Sequence, residues 1–219
     1  SYMLPSPVAV CKALIGDLPT ILFHAKFTLL ESFYGLLIGI ALAFIFATVM
    51  DRFRVMDQAF YPIMIITQTI PTIAIAPILV LWMGFGMAPK ITLVVITTFF
   101  PITITVYDGL RSAKTEMAEL LETYGATKKD IFLKIKVPCA LPYFFSAVKM
   151  AVPMSIIGAA IGEWLGAKSG LGYFSRRMMT QLDGAGVFAP IVLLSAAAIL
   201  AVAVVNLLEK RFVRWRGES

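Results

Sequence analysis

The sequence is poor in charge. Only 15% of its 219 residues are charged, while 59% are hydrophobic, whereas a soluble domain is about a quarter charged and about half apolar.

The two cysteines and the single histidine predict no disulfide and no metal site, and His24 is expected at a surface or interface. The Gly-x4-Gly-Lys-Ser/Thr loop that holds ATP phosphates is missing, as is any plausible nucleophile–base pair. The composition therefore disfavours a soluble enzyme, and the chain by itself is not an ATPase.

The hydrophobic residues are concentrated in five runs. A membrane-spanning helix needs ~20 mostly apolar residues, and none of the runs alternates in polarity as a strand of a membrane barrel would. The runs cover residues 28–50, 59–83, 91–107, 141–162 and 187–208. The predicted fold class is therefore an all-α membrane protein, a multi-span helical bundle with five spans in this chain.

Basic residues are unevenly divided between the two sets of loops. Twelve Lys and Arg residues fall in the first set and six in the second. The first set comprises residues 51–58, 108–140 and 209–219. Because basic loops stay in the cytoplasm, this set and the C-terminus are predicted to be cytoplasmic. Anionic lipid headgroups then account for the net charge of +6 without any nucleic acid.

Five spans with a cytoplasmic C-terminus would leave the N-terminus outside, where nothing at the start of the chain would carry it. We therefore expect another helix before Ser1 in the full-length protein, which would make six spans.

Ser6 and Pro7 fit the cap and first turn of an early helix. The predicted division is an external amphipathic segment at 1–27, a transmembrane domain at 28–208 with a cytoplasmic loop at 108–140, and a cytoplasmic basic tail at 209–219.

The pattern of the longest polar stretch, residues 119–138, predicts two short helices around a glycine. Gly125 is placed to end the first helix in a left-handed conformation, and Thr127 with Asp130 resembles a capping box that starts the second, which Pro138 is expected to stop. The apolar stripe of the first helix consists of Met117, Leu120, Leu121 and Tyr124. Such a unit is typical of a docking element, although a solvated connector on the membrane surface would show the same pattern.

The spacing in this stretch resembles the "EAA" signature of permease subunits in binding-protein-dependent ABC importers. That signature is a Glu and two alanines, with Gly six residues after the Glu, Ile ten after the Gly and Pro three after the Ile. Glu119, Gly125, Ile135 and Pro138 stand at those spacings, and the two alanines are replaced by Leu120 and Leu121. Gly125 is also followed by Ala126, as is usual in the family.

Three further stretches resemble the nitrate, sulfonate and taurine branch of these permeases, and residues 66–90 look most like permeases for thiamine pyrimidine precursors. The stretches are LPSP at 4–7, QTIPTIAIAPILVLWMGFG at 68–86 and GEWLGAKSGLGY at 162–173. The resemblance implies the type I importer permease fold in the bacterial plasma membrane. It also implies a pair of permeases, separate ATPase subunits that bind ATP and Mg²⁺, an external substrate-binding protein, and no cofactor on this chain. The loop would then seat in an ATPase cleft through Glu119, Leu120, Leu121, Tyr124, Gly125, Ala126, Ile135 and Pro138.

Polar residues inside the second run are candidates for the translocation path. Thr67, Gln68, Thr69 and Thr72 cluster around Pro71, and polar groups at that depth normally face a bundle interior or water. The alternative is that the threonines bond back to their own helix and Gln68 joins two helices.

The pattern also gives expectations for three further residues or groups of residues in the spans. Glu163, at the end of the fourth run, could face the path or the outer interface. Lys149 is expected to extend to cytoplasmic headgroups. Gly35, Gly158, Gly162 and Gly166 are expected to let helices pack closely.

Two other classes of protein stay open from the residues alone. A stand-alone channel or secondary transporter predicts ionisable residues deep in several spans, and a membrane anchor gives no reason for the threonine-rich, proline-broken span. The absence of a basic cluster in the spans suits an uncharged heteroaromatic substrate better than nitrate, a sulfonate or taurine.

Overall fold

The computed structural model describes residues 5–213, without the side chain of Thr115. Within this range every regular element is helical. The helices are α1 (Pro7–Gly16), α2 (Leu18–Arg52), α3 (Arg54–Thr67), α4 (Thr72–Met83), α5 (Ala88–Arg111), α6 (Thr115–Thr123), α7 (Lys128–Ile131), a π-helical turn (Phe132–Lys136), α8 (Val137–Trp164), α9 (Leu171–Thr180) and α10 (Gly184–Phe212). The all-α fold class is confirmed.

The apolar runs form the membrane-spanning elements. Four helices of the described chain are long and apolar enough to cross a membrane, and the bent pair α3 and α4 raises the number to five. The run at 59–83 is therefore two helices with a sharp break between them. Pro71, which has no backbone N–H, lies at the break and precedes α4, while Pro62 and Pro77 lie inside α3 and α4.

Pro138 does not stop the second helix of the cytoplasmic stretch, so that prediction is wrong. The helix continues from Lys128 to Trp164. The physical reason is the π turn before the proline, where the N–H of Val137 donates to the carbonyl of Phe132 five residues earlier. The π turn is wider than an α-helical turn and changes the hydrogen-bond register just before Pro138, which has no backbone N–H. The helix can therefore continue through the proline.

The chain divides into two compact units. The first takes in the chain up to Leu37, Pro71–Thr97 and Val152–Ala201, and the second takes in Ile38–Ile70, Thr98–Ala151 and the chain from Val202 onwards. The first unit has two apolar clusters, one built on α2, α9 and α10 and the other on α4 and α5.

In the second unit, ion pairs join residues that are far apart in the sequence. Lys136 pairs with Asp51, and Lys149 pairs with Glu209. The second pair corrects the expectation that Lys149 extends to headgroups, because Glu209 on α10 lies 2.8 Å from its ammonium group.

The predicted start of α1 is confirmed. Ser6 caps the helix by accepting a 3.2 Å hydrogen bond from the N–H of Ala9, and Pro7 occupies the first turn. The rest of the predicted external segment before Pro5, including Leu4 of the LPSP motif, lies outside the described residues. So does the basic tail beyond Val213.

The glycine spacings predicted close packing, and the first unit shows it. A Cβ on Gly35 would stand 2.5 Å from Val94, and one on Gly162 would stand 3.3 Å from Lys90. Gly158 likewise approaches Thr97. Small residues thus let α2 and α8 approach α5, which packing in a membrane requires.

Candidate functional site

The cytoplasmic stretch forms an arm, defined here as residues 115–136. Its first helix, α6, turns the small Ala118 and the branched Leu121 inward and leaves the rest of its apolar stripe exposed. Met117 is 56% exposed, Leu120 57% and Tyr124 81%. Three of the four predicted stripe residues thus form an apolar surface without cover in the described chain, bordered by the exposed carboxylates of Glu119 and Glu122.

The turn of the arm depends on Gly125, as predicted. Its φ angle is 82°, in the left-handed region that glycine adopts without strain. The N–H of Gly125 donates to Glu122 at 2.9 Å and the N–H of Ala126 to Leu121 at 3.0 Å, which together make a Schellman ending of α6. A Cβ on Gly125 would meet no atom within 4 Å, so the turn is open to whatever approaches the arm.

The second helix of the arm starts at the predicted capping box. The hydroxyl of Thr127 accepts from the N–H of Asp130 at 3.2 Å, and the Asp130 carboxylate accepts from the N–H of Thr127 at 3.1 Å. Each side chain satisfies a donor that the helix start leaves free. An ion pair of 2.7 Å between Asp130 and Lys134 extends the same face.

The base of the arm is anchored on the end of α2. The Lys136 ammonium lies 2.6 Å and 2.8 Å from the two oxygens of Asp51. Ile131 and Ile135 are buried beside it, at 6% and 7% exposure. Of the predicted coupling residues, Ile135 therefore belongs to this base, Pro138 lies just beyond the arm in α8, and Tyr124 and Gly125 lie at the exposed end.

The predicted path residues lie at the break between α3 and α4. Thr67 closes α3 with a 2.9 Å bond to the carbonyl of Met64, and Thr69 donates to Ile66 at 2.7 Å. The alternative that threonines bond back to their own chain therefore holds for these two. The remaining path residues are Gln68 and Pro71, which are exposed, and Thr72, which is half-buried at the start of α4.

Glu163 has a different environment from the other predicted path residues. It is fully buried in the first unit, where its Oε1 accepts a 2.7 Å hydrogen bond from Thr28 and its Oε2 accepts a 2.6 Å bond from the N–H of Gly172. Both oxygens are thus engaged by the chain's own groups.

The expectation for His24 is wrong. The residue is buried at 7% exposure, and its Nδ1 accepts from the N–H of Gly170 at 3.1 Å. Sequence spacing missed this contact because 146 residues separate the partners.

Sequence reasoning also missed an ion pair inside the first unit. The ammonium of Lys90 lies 2.5 Å from Oε1 of Glu31, with side chains 7% and 0% exposed. The sequence contains a signal for this pair, which is a polar face on the apolar helix α2. A polar face on a membrane helix needs partners. This face consists of His24, Thr28, Glu31 and Ser32. Ser32 finds its partner in Ser155, at 2.7 Å.

Between residues 5 and 213 no group of three or more His, Cys, Asp or Glu side chains is arranged to hold a metal ion.

Comparisons with known proteins give a family and several similar chains. Residues 35–214 match the family model described as the binding-protein-dependent transport system inner membrane component. The formylaminopyrimidine transport permease protein ThiX of Halalkalibacterium halodurans is 47% identical over 220 residues, covering 100% of this chain and 88% of the relative.

A more distant relative and a solved structure also match this chain. A putative aliphatic sulfonates transport permease protein, SsuC of Bacillus subtilis, is 27% identical, with 98% of this chain and 79% of the relative covered. The crystal structure of an amino acid ABC transporter with histidines matches with a TM-score of 0.71 at 14% identity, covering 97% of this chain and 99% of that chain.

The chain therefore belongs to the binding-protein-dependent transport system inner membrane component family. It is a multi-pass membrane protein and a permease subunit of an ABC importer, so its partners in general are an ATPase and a binding protein. The resemblance to importer permeases is confirmed.

Proposed function

We propose that this permease lines the translocation path with the break between α3 and α4, and that the arm transmits the work of a separate ATPase to it. The observation that carries the proposal is the arm itself. It presents the exposed side chains of Met117, Leu120 and Tyr124 beside an open glycine turn, on a base fixed by the Asp51–Lys136 pair. An ATPase cleft that receives this surface removes apolar side chains from water, and that burial favours docking.

The chain itself is a non-catalytic subunit that binds no cofactor. ATP and Mg²⁺ bind to the ATPase subunits, which the arm contacts. The assembly has two copies of this permease, two ATPases and one external binding protein, in the lipid of the bacterial plasma membrane. The arm and the C-terminus face the cytoplasm, as the distribution of basic residues supports.

The roles of the segments follow from that arrangement. Residues 1–27 lie on the outer side, 28–208 form the transmembrane domain, 108–140 are its coupling loop and 209–219 its basic cytoplasmic tail. Thr67, Gln68, Thr69, Pro71 and Thr72 line the path. Glu163, whose oxygens are both engaged inside the first unit, supports the wall of the path rather than contacting the substrate.

The proposed substrate is a thiamine pyrimidine precursor or a related small heteroaromatic compound. The 47% identity to a formylaminopyrimidine permease over this whole chain supports it. So does the break in the span, where the polar side chains are uncharged hydroxyls and one amide. Sulfonates, taurine or nitrate are the second candidate, which the 27% identity to a sulfonate permease favours.

One experiment tests the coupling role. Gly125→Asp adds a charged side chain where the backbone is left-handed and the surface is open, at a strain of roughly 1 kcal/mol. We expect the variant to insert in the membrane and to lose ATP-driven uptake in vesicles that contain the ATPase and binding protein. Gly16→Asp at the end of α1 is the control for an added charge, because a Cβ on Gly16 also has no atom within 4 Å. Wild-type uptake by Gly125→Asp would refute the role of the arm, and uptake by the permease alone would favour a secondary transporter.

Substrate class is tested by competition. In the same vesicles, uptake of labelled formylaminopyrimidine should be saturable and unaffected by excess taurine, alkyl sulfonate or nitrate. Competition by a sulfonate in the absence of pyrimidine uptake would favour the second candidate.

A further inference from the structure

An open cavity of about 610 Å³ lies between the arm and the end of α2, within the second unit. This volume falls in the range of ~300–1,000 Å³ that is typical of small-ligand pockets. We call it the basic cavity, because four cationic side chains and only two carboxylates line it. These are Arg52, Lys128, Lys129 and Lys136, with Asp51 and Glu122.

Three of the four cations are unpaired. Lys136 is neutralised by Asp51, at 2.6 Å, in the ion pair at the base of the arm. Arg52, Lys128 and Lys129 are exposed, and none of them has a carboxylate partner in the described chain. The cavity therefore has three cationic groups that are free to bind an anion.

A single further carboxylate of the lining stands against these three cations. Glu122 is exposed on α6 and forms no ion pair with any described residue. The lining thus carries an excess of two positive charges. Cations that line one cleft focus the electrostatic potential there and attract anions, so the cavity suits a negatively charged ligand.

The position of the cavity indicates which anion this is. Thr48, which belongs to the apolar run at 28–50, lines the cavity one helical turn before Arg52, the last residue of the span α2. Ile131 and Phe132 add apolar lining from the arm. The cavity therefore joins cationic groups to the end of a membrane-spanning segment, where lipid headgroups lie. A phospholipid has the matching chemistry, with a phosphate next to apolar chains.

A second cavity extends the cationic lining. It has a volume of about 590 Å³, shares Arg52 and Lys136 with the basic cavity and adds Arg54 and Arg111. Arg54 has no carboxylate partner in the described chain, whereas Arg111 lies 3.7 Å from Asp57. Positive charge thus continues beyond a single cavity, which favours a surface of many anionic headgroups over one dissolved anion.

We propose that the basic cavity binds the headgroup of an anionic phospholipid. Arg52, Lys128 and Lys129 contact its phosphate, and Thr48 and Phe132 lie beside the glycerol and the first carbons of the acyl chains. The bound lipid connects the arm to α2 next to the ion pair at the base of the arm. This site goes beyond the proposed function, and only the side of the membrane on which it lies follows from that function.

Native mass spectrometry of the intact complex tests the site. The permease is purified with its ATPase and binding protein in detergent, and dioleoyl phosphatidylglycerol or dioleoyl phosphatidylcholine is titrated in. The two lipids share their acyl chains and differ in net charge. We expect phosphatidylglycerol to bind at least about tenfold more tightly, because three cations face its phosphate.

Equal affinity for the two lipids would overturn the lipid site and leave the proposed function standing. Purification of the permease without any ATPase would instead refute the proposed function. The same titration on the permease alone would then decide the lipid site independently.

Matched double variants locate the bound lipid. Lys128→Gln with Lys129→Gln removes two cations from the cavity and should weaken phosphatidylglycerol binding about thirtyfold, or roughly fivefold for each lysine. Lys134→Gln with Lys210→Gln removes two exposed cations that line neither cavity, and it should change the affinity less than about twofold. Lys128→Arg with Lys129→Arg keeps both charges and should bind as the wild type does. Equal losses in the two glutamine variants would contradict the proposed location.

Two measurements on the unaltered protein separate a lipid from other anionic occupants. Glycerol 1-phosphate has the phosphate without the acyl chains, so we expect millimolar amounts of it to leave phosphatidylglycerol bound. Displacement would show a site for soluble phosphate and overturn the lipid site. Phosphatidylglycerol should also bind the permease with and without its ATPase. Binding to the permease alone, and not to the complex, would show that the ATPase occupies the cavity and would overturn the proposal as well.

Discussion

Two glycine turns in this permease look alike locally and differ in what surrounds them. Gly125 and Gly170 both have a positive φ, and a helix begins shortly after each. The helix after Gly125 is capped by Thr127 and Asp130, three residues apart, on an exposed surface. The N–H groups at Gly170 and after it are capped by side chains up to 146 residues away, in the interior. The contacts that hold the first turn are local, whereas those that hold the second join distant parts of the chain.

The largest expected difference comes from adding one methyl group to each turn. Gly170→Ala introduces backbone strain and a collision with Glu163, and overpacking of a filled interior costs about 1–3 kcal/mol in addition to the strain. Gly125→Ala adds strain alone, roughly 1 kcal/mol, because no atom lies within 4 Å.

Thermal unfolding of the purified protein in detergent checks this prediction, with Gly16→Ala as the control, since Gly16 is unhindered and its φ is not positive. Equal losses at Gly170 and Gly125 would remove the distinction between the two turns.

An intermediate effect is expected at the base of the arm. Asp51→Asn weakens the pairing with Lys136, whose side chain is 30% exposed, so the loss should lie between those of exposed and buried pairs, about 1–2 kcal/mol. Because the arm would then be less firmly seated, uptake per ATP hydrolysed should fall while hydrolysis continues. A parallel measurement of both rates in vesicles checks this, with Asp17→Asn on the exposed end of α1 as the control. A fall in both rates by the same factor would argue against a role in seating the arm.

The smallest effect is expected at the cap of the arm. Thr127→Ala removes the acceptor for the N–H of Asp130, which costs about 1 kcal/mol at a helix start. Because the site is exposed and local, we expect faster amide exchange within the arm and unchanged protection at α9. Thr127→Ser, which keeps the hydroxyl, should restore slow exchange. Loss of protection at α9 would show that the arm is not locally independent.

The same contrast explains what the sequence could predict. The turn at Gly125 and the capping box at Thr127 depend on residues three positions apart, so their spacing alone was sufficient. The apolar spans were equally predictable from the sequence, because length and polarity define them. The break between α3 and α4 was indicated by Pro71 and its neighbours.

Contacts between distant residues were not predicted. His24 was assigned to a surface because nothing nearby in the sequence pairs with it, and the same was true of the partners Lys149–Glu209 and Glu31–Lys90. The prediction that Pro138 stops the helix was wrong for another reason. The π turn before Pro138 has no sequence signature that distinguishes it from an ordinary helix end. The polar face of α2 could have been recognised in the sequence. It predicts that these side chains have polar partners, although it does not identify them.

The helix that starts at Thr127 also has a mechanical consequence. From Lys128 to Trp164 it contains 37 residues, about 55 Å at 1.5 Å per residue, which is well beyond the ~30 Å of the hydrocarbon layer. No loop lies between the capping box and Trp164, so the proposed displacement of the arm would reach the far end of α8 along one continuous helix. The π turn at Phe132–Lys136 is where the hydrogen-bond register of that helix changes.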